Sequence, residues 1–312
     1  MSGPPDGPGP AAGPGPREPG PATAAAPDPR EPGPATTAAP GTLYLIPTPL
    51  GEHTSPADSL PAPAIAIAAR LDCFVAENAR SARQFLKGLP SAHPLQSIEI
   101  RELNEHSRTE DLPALLAPLR AGRDCGLLSE AGCPAIADPG AALVALAHRH
   151  GVPVMPLVGP SSLTLALMAS GLNGQRFAFA GYAPVKDGER DAFLRELEQR
   201  SARFGETQML IETPYRAQAL LDALIRVLRP DTDLVMASEL TQPTQAISRR
   251  TVAQWRASPQ AIGKVPAVFA LLAAAIQARS PGPPGRHPGA AGTPLAGRRG
   301  GPASRPPARR RP

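Results

Sequence analysis

The chain has 312 residues, with 42 Pro and 29 Gly, and a formal net charge of +5. Residues 1–40 are mostly Pro, Gly, Ala and Thr with a tandem near-repeat, and residues 279–312 add eight Arg without any acid. Neither segment has side chains for a packed core, so we expect disordered tails at 1–40 and 279–312. The remainder has 22 basic and 23 acidic residues, so the basic charge does not make the folded part a nucleic-acid-binding surface.

Composition also excludes several classes of protein. The three Cys residues have neither paired metal-ligand spacing nor an even count, which argues against a metal site and a disulfide framework and indicates a reducing compartment. The N-terminus lacks the basic and apolar regions of a secretory signal. The apolar runs at 161–172 and 265–276 are too short to span a bilayer. These features predict a cytoplasmic protein without a membrane partner.

From about residue 41 to 278, short β-type runs alternate with helix-length segments, a pattern typical of α/β layers with a largely parallel sheet. The first strand is predicted at 42–46 and is stopped by a loop with two prolines and Gly51. A helix around 60–71 precedes a strand at 73–76 and a second helix that ends at Gly88. A third helix begins between Ser107 and Asp111. Ser107 and Glu110 could form a capping box, whereas Pro113 favours a start nearer Asp111.

Two long loops follow the next predicted strands. The segment "SEAGCPAIADPG" at 129–140 separates a buried strand at 125–128 from a helix with Asp138 as N-cap and Pro139 at its first position. The segment 159–162 separates a strand at 152–157 from a helix with Pro160 at its first position, and that helix ends at Gly171. Loops at the carboxyl ends of parallel strands hold ligands in open α/β sheets. Together the two loops predict a binding crevice.

Seven segments occur in the order and spacing of one known family: "GTLYLIPTPLGE", "FVAENARSARQFL", "LLSEAGCPAIADPG", "PLVGPSSLTLALMASGL", "FAFAGYAP", "LIETPYR" and "SELTQ". Residues 41–272 thereby resemble the tetrapyrrole methylase superfamily, in its branch containing ribosomal RNA small subunit methyltransferase I. The resemblance implies two α/β domains, at 41–158 and 159–278, with S-adenosylmethionine in a cleft between them. It also implies a homodimer.

The resemblance further implies which positions bind the cofactor. Small residues let the backbone approach a ligand closely, which suits these loops. The implied cofactor-binding residues are Pro49, Gly51, Ser129, Glu130, Ala131, Gly132, Cys133, Pro134, Gly159, Pro160, Ser161, Ser162, Tyr182, Glu212, Ala237 and Glu239. No metal ligand is among them.

Departures from the ribosomal RNA branch concern the acceptor side. That branch usually has Glu-Asp-Thr-Arg where this chain has residues 77–80, "ENAR", and Arg-Glu-Leu-Thr where this chain has 238–241, "SELT". Methyl transfer is therefore predicted more strongly than a ribose 2′-hydroxyl of small-subunit ribosomal RNA as acceptor. A tetrapyrrole or other small-molecule methyltransferase and a catalytically inactive S-adenosylmethionine-binding protein stay as alternatives.

A hydroxyl acceptor also requires removal of its proton. Glu77, Arg80 and Glu130 are the candidate catalytic residues, and His106 is a further candidate base. Each has a structural alternative. Glu77 could form an ion pair with Arg80 or Arg83, and His106 could be an ordinary loop residue.

Two further positions have both a functional and a structural interpretation. Cys133 as a nucleophile is poorly supported because the family accepts Thr there, and Glu212 with Tyr215 and Arg216 either holds the acceptor or begins a helix.

Overall fold

The computed structural model describes residues 39–51 and 54–275. The tails predicted at 1–40 and 279–312 lie outside these ranges, except for residues 39 and 40. Two compact units make up the described part. The first contains residues 39–49 and 55–159, and the second contains residues 50–51, 54 and 160–275. The short segment after Pro49 therefore belongs to the second unit, which a single boundary near residue 158 does not anticipate.

The first unit has a five-stranded parallel sheet with helices on both faces. Its elements are β1 (Leu43–Ile46), α1 (Pro56–Ser59), α2 (Ala62–Arg70), β2 (Cys73–Ala76), α3 (Ala79–Lys87), β3 (Glu99–Glu102), α4 (Leu112–Arg120), β4 (Cys125–Leu128), α5 (Gly140–Arg149) and β5 (Val154–Pro156). The strand order is β3-β2-β4-β1-β5, and every pairing is parallel. The central strands β2 and β4 are buried along their whole length.

Alternation along the strands divides the core of this unit between two faces. Leu43 and Val75 pack with α4 and α5, whereas Ile46 and Phe74 pack with α2 and α3. Successive side chains of a strand point to opposite faces. The sheet is therefore covered on both sides, as parallel sheets usually are.

The second unit contains a mixed sheet. Its elements are β6 (Phe177–Phe179), α6 (Ser162–Ser170), α7 (Asp187–Phe204), β7 (Thr207–Glu212), α8 (Ala217–Val227), β8 (Asp233–Ser238), β9 (Ala246–Thr251), α9 (Val252–Ala257) and β10 (Ala267–Leu272). The order is β6-β7-β10-β8-β9; only β6 and β7 pair in parallel, and the other pairings are antiparallel. The expectation of a largely parallel sheet is correct for the first unit and wrong here, because β10 runs antiparallel between β7 and β8.

Helices α7, α8 and α9 enclose the larger core of the second unit, around the fully buried Trp255 and Phe269. The Trp255 indole N–H donates to the Leu234 carbonyl at 3.1 Å, so its polar atom is satisfied inside the core. Helix α6 covers the other face of the sheet, against Met209, Val235 and Val268.

Most elements of the first unit lie where the sequence predicts them, but several helix starts differ. Asn78 caps α3, accepting from the backbone N–H groups of Arg80 and Ser81 at 2.8 and 3.3 Å. The Ser107–Glu110 capping box is wrong, because the Ser107 hydroxyl accepts instead from the Asn104 backbone N–H. The start near Asp111 is confirmed, since α4 begins at Leu112 with Asp111 at its N-cap. Strand β3, with the sequence "EIRE", carries no apolar run and was missed.

The start of α5 is displaced by one residue from its prediction, and that of α6 by two. Pro139 occupies the N-cap of α5 rather than its first position. Ser161 caps α6, its hydroxyl accepting from the Thr164 backbone N–H, so Pro160 precedes the cap. Gly171 ends α6 in the left-handed conformation with φ +64°, as predicted. Within the described residues, none of the helices is long and apolar enough to cross a membrane.

Candidate cofactor site

The centre of the first unit's sheet contains a topological switch point. Strands β1 and β4 are neighbours, yet the chain leaves β1 toward β2 on one side and leaves β4 toward β5 on the other. The helices that follow them, α2 and α5, lie on opposite faces. Such a reversal opens a crevice outside the carboxyl ends of the two strands, the place where open α/β sheets bind ligands.

The loops after β1 and β4 are joined at this crevice. The Thr48 backbone N–H donates to the Gly132 carbonyl at 2.9 Å, and the Gly132 N–H donates back to the Thr48 carbonyl at 3.0 Å. The Ser129 hydroxyl also donates to the Gly132 carbonyl at 3.0 Å. Gly132 is buried and has φ +78°, a conformation that Gly adopts without steric cost. The bridge fixes the backbone of the loop beside the crevice.

The rest of the 129–139 loop is held by Asp138. Its two carboxylate oxygens each accept the Ala135 backbone N–H at 2.9 Å, and Oδ1 also accepts the Gly140 N–H at 2.7 Å. Burial raises the pKa of Asp138, while the hydrogen bonds from Gly140 and Ala135 oppose that rise. Ala135 and Ala137 have φ +65° and +62°, which is unfavourable for residues with a Cβ atom. Asp138 thus stabilises a strained loop.

We expect Asp138→Ala to destabilise the protein by about 1–2 kcal/mol, since it leaves backbone N–H groups without their acceptor. Asp138→Asn is the matched control, because an amide oxygen can accept the same bonds without carrying a buried charge. Urea denaturation of the two variants measures the difference. Equal midpoints for Asp138→Ala and the unmodified protein would show that the carboxylate does not support the loop.

Three carboxylates meet at the edge of this crevice. Glu77 follows β2, and burial raises its pKa above the usual range; the charges of Glu130 and Asp138 raise it further, against a hydrogen bond from the Glu130 backbone. Among the described residues Glu77 is absent from the ion pairs, so its proposed pairing with Arg80 or Arg83 is wrong. A half-buried carboxylate with an elevated pKa has the properties of a general base.

The other predicted catalytic residues have different surroundings. Glu130 is exposed, and its carboxylate accepts from the Ser81 hydroxyl at 3.4 Å. Arg80 is exposed on the first turn of α3. His106 lies on an exposed loop beside Glu105, with 84% of its side chain accessible, which favours the loop interpretation. Burial raises the pKa of the Cys133 thiol, which lowers its thiolate population and argues against a nucleophile.

The loop after β5 packs against the loop after β1. A Cβ atom on Gly159 would lie 2.4 Å from the Pro47 Cβ, so only Gly fits there. Pro49 ends the first-unit part of the β1 loop. Gly51 lies in the second unit, where a Cβ atom would meet the Gln242 side chain at 2.2 Å. Ala131 is exposed and Pro134 is buried. The structure therefore brings the first-unit positions from Pro49, 129–134 and Gly159 to one edge of one sheet.

The second unit carries Glu212, Ala237 and Glu239 at one sheet edge of its own, at the ends of β7 and β8. Ala267, at the start of β10, pairs with both Glu212 and Ser238, which end β7 and β8. Glu212 is buried, and its carboxylate lies 2.9 Å from the Arg216 guanidinium, which favours the structural interpretation of that pair. Ala237 is buried inside β8, and Glu239 follows with φ +48°. Tyr182 is 49% exposed.

The sequence does not identify Thr48 as a site residue. It does predict Asp138 as a helix cap, and the Asp138 carboxylate accepts the Gly140 backbone N–H, but its bond from the Ala135 N–H was not expected. Thr48 lies between two prolines in "IPTPL". Its backbone N–H and carbonyl form the bridge to Gly132, and a side-chain motif cannot indicate a contact made by backbone atoms. Across residues 39–51 and 54–275, no group of three or more His, Cys, Asp or Glu residues is arranged to hold a metal ion.

Comparison with known proteins identifies the family. The family model described as Tetrapyrrole (Corrin/Porphyrin) Methylases matches residues 42–255. Ribosomal RNA small subunit methyltransferase I of Synechocystis sp. is 34% identical over 212 residues, which are 68% of this chain and 71% of the relative. The protein of the same name from Vibrio cholerae is 32% identical over 212 residues, covering 68% of this chain and 69% of the relative.

A solved structure has the same fold. The methyltransferase CobJ aligns with a TM-score of 0.51 at 18% sequence identity, over 76% of this chain and 95% of the other. This likeness concerns the fold alone, and it agrees with the two α/β units described above. The family match covers the crevice loops, the whole first sheet and strands β6 to β9 of the second sheet. The chain therefore belongs to the tetrapyrrole (corrin/porphyrin) methylase family and is an S-adenosylmethionine-dependent methyltransferase.

Proposed function

We propose that this methyltransferase acts on small-subunit ribosomal RNA and that the acceptor is a ribose 2′-hydroxyl. The observation that carries the proposal is the carboxylate group at the switch-point crevice, in a chain whose relatives are named ribosomal RNA small subunit methyltransferases. A hydroxyl is a poor nucleophile while it keeps its proton. Glu77 supplies a base whose raised pKa favours taking that proton.

The first-unit loops fit the cofactor by their backbone. Ala131 and Cys133 flank Gly132 with small side chains, and the left-handed φ of Gly132 is one that a residue without a Cβ atom adopts at no steric cost. Such a loop presents N–H and C=O groups at close range to a ligand with an amino group, a carboxylate and an adenine. Bound S-adenosylmethionine supplies an electrophilic methyl group on a cationic sulfur.

This chain's own residues then have three tasks. The Thr48–Gly132 bridge and Asp138 keep the loop in one conformation, which reduces the cost of ordering it on binding. The carboxylates of Glu77 and Glu130 make the crevice edge negative, which suits a cationic sulfonium. Glu77 removes the acceptor proton. Positioning the acceptor in line with the methyl group accounts for most of the remaining acceleration.

We expect the purified protein to bind S-adenosylmethionine after chelator treatment with the same affinity as before. The site is built from backbone groups, and the described residues contain no metal-binding cluster. Isothermal titration calorimetry with and without the chelator measures this. Heat no larger than that of dilution would contradict the cofactor site, and binding restored only by added metal would contradict its metal independence.

The acceptor is tested with labelled cofactor and isolated small ribosomal subunits. A 2′-O-methyl group blocks alkaline cleavage of the adjacent phosphodiester, because the 2′-hydroxyl is the nucleophile of that cleavage. The proposal predicts that the label is recovered in alkali-resistant dinucleotides. Recovery in single nucleotides would place the methyl group on a base, label in an added tetrapyrrole would assign a pigment methylase, and no incorporation into either would indicate a cofactor-binding protein without transferase activity.

A further inference from the structure

Helix α3 carries a row of cations on its exposed face. Ala82, Phe85 and Leu86 face the core, and Arg80, Arg83 and Lys87 lie on the opposite side, exposed to solvent. The intervals of three and four residues place these three side chains on one face of the helix. The helix contains no acidic residue. We define these three residues as the α3 basic row.

The cations of this row have no acidic partner within the described part of the chain, and this distinguishes them from the other charged helix. On α7 three of the four arginines have acidic partners: Arg190 pairs with Asp187, Arg195 lies 3.9 Å from Asp191, and Arg200 lies 2.7 Å from Glu206. That arrangement is an ordinary solvated helix face with compensated charge. Three uncompensated cations on nine residues instead leave a local positive field available to an anionic partner.

The α3 basic row also lies beside the crevice. Helix α3 begins directly after β2 and Glu77, and the Ser81 hydroxyl on its first turn contacts the Glu130 carboxylate at 3.4 Å. An RNA acceptor is a polyanion, and carboxylates at the crevice edge repel it. Adjacent cations offset that repulsion and hold the strand without reading its sequence.

We propose that the α3 basic row binds the phosphate backbone of the RNA acceptor and positions it at the crevice. From Arg80 to Lys87 the row extends about 10 Å, at 1.5 Å per residue. An RNA strand presents about three phosphates over that length, at one charge per 3.4 Å of helix axis. The inference rests on the proposed RNA substrate and adds the surface that recognises it.

The test uses two charge-matched double variants of the full-length chain. Arg83→Glu with Lys87→Glu reverses the row without altering Arg80. Arg120→Glu with Arg149→Glu produces the same change in net charge on α4 and α5, which cover the other face of the sheet, and both of these arginines are exposed. The arginines beyond residue 278 are present in every variant, so their contribution to binding is the same.

Fluorescence anisotropy with a labelled transcript of small-subunit ribosomal RNA, over a range of salt concentrations, measures affinity and its salt dependence. We expect the α3 variant to bind about ten-fold more weakly or worse, with the slope of log K against log salt reduced by about 1 to 1.5, since each lost phosphate contact contributes about 0.7. The α4/α5 variant should keep most of the affinity and slope. S-adenosylmethionine binding and circular dichroism should be unchanged in both.

An equal loss in the two double variants would overturn the inference, because net charge would then explain the result. Normal RNA binding by the α3 variant would overturn it while leaving the ribosomal RNA proposal intact. Failure of the unmodified protein to bind the transcript would overturn both. Loss of cofactor binding in the α3 variant alone would also overturn it, by assigning the row to the cofactor site.

Discussion

Gly132→Val is expected to abolish S-adenosylmethionine binding in a protein that still folds. Gly132 is buried, has φ +78° and exchanges two backbone hydrogen bonds with Thr48. The left-handed region costs a residue with a Cβ atom about 1–2 kcal/mol, and a β-branched residue more. The loop can relieve this strain only by breaking the two hydrogen bonds to Thr48, and its backbone then moves away from the crevice. Calorimetry measures the loss of binding.

Two further variants separate backbone strain from side-chain volume at this position. Gly132→Ala introduces the strain with the smallest side chain, so it should weaken binding less than Val does. Cys133→Thr is expected to bind normally, because the volume changes little and the resembling branch carries Thr there. Unchanged circular dichroism is required before either loss is interpreted. A folded Gly132→Val protein with normal affinity would remove the loop from the cofactor site, and a folded but inactive Cys133→Thr would return the cysteine to the chemistry.

The first unit could be predicted in detail because local signals agree with its fold. Strands β1, β2 and β4 are short apolar runs, followed directly by Pro47, Glu77 and Ser129, and each lies in a parallel sheet buried on both faces. Strand β3 is an edge strand in which three of the four residues are charged, and Arg101 and Arg123 form ion pairs with Glu99. The segment forms a strand because it pairs with β2. The pattern of apolar residues in the sequence does not reveal that pairing.

The position of the loop at 129–140 could be predicted from the sequence, but its hydrogen bonds could not. Small residues after a buried strand indicate a ligand loop, and that inference needs only composition and order. The Thr48–Gly132 bridge joins residues 84 positions apart in sequence through backbone atoms, and no side-chain pattern encodes it. The positive φ of Ala135 and Ala137 is likewise imposed by the surrounding contacts, because the side chain of Ala disfavours it.

Glu77→Gln is expected to lower methyl transfer and, at neutral pH, to raise stability. Burial and the neighbouring charges of Glu130 and Asp138 raise the pKa of Glu77 in the folded protein. The folded state therefore binds this proton more tightly than the unfolded chain does, so ionised Glu77 destabilises the fold above the folded pKa. Gln removes that charge, and its amide oxygen still accepts the Glu130 backbone hydrogen bond. Thermal unfolding against pH and single-turnover methyl transfer measure the two effects.

The increase in stability of the Glu77→Gln variant is expected to depend on pH. The stability gained by Glu77→Gln should be complete above the folded pKa and should vanish as pH falls below the unfolded value of about 4.3, where Glu77 is neutral in both states. Glu196→Gln on the exposed face of α7 is the matched control and should show neither effect. Loss of a general base costs about a hundred-fold or more in rate, with cofactor affinity retained. A catalytic group whose charge is held in an unfavourable environment lowers the stability of the fold. If Glu77→Gln is less stable than the unmodified protein at neutral pH, or is fully active, Glu77 is not such a base.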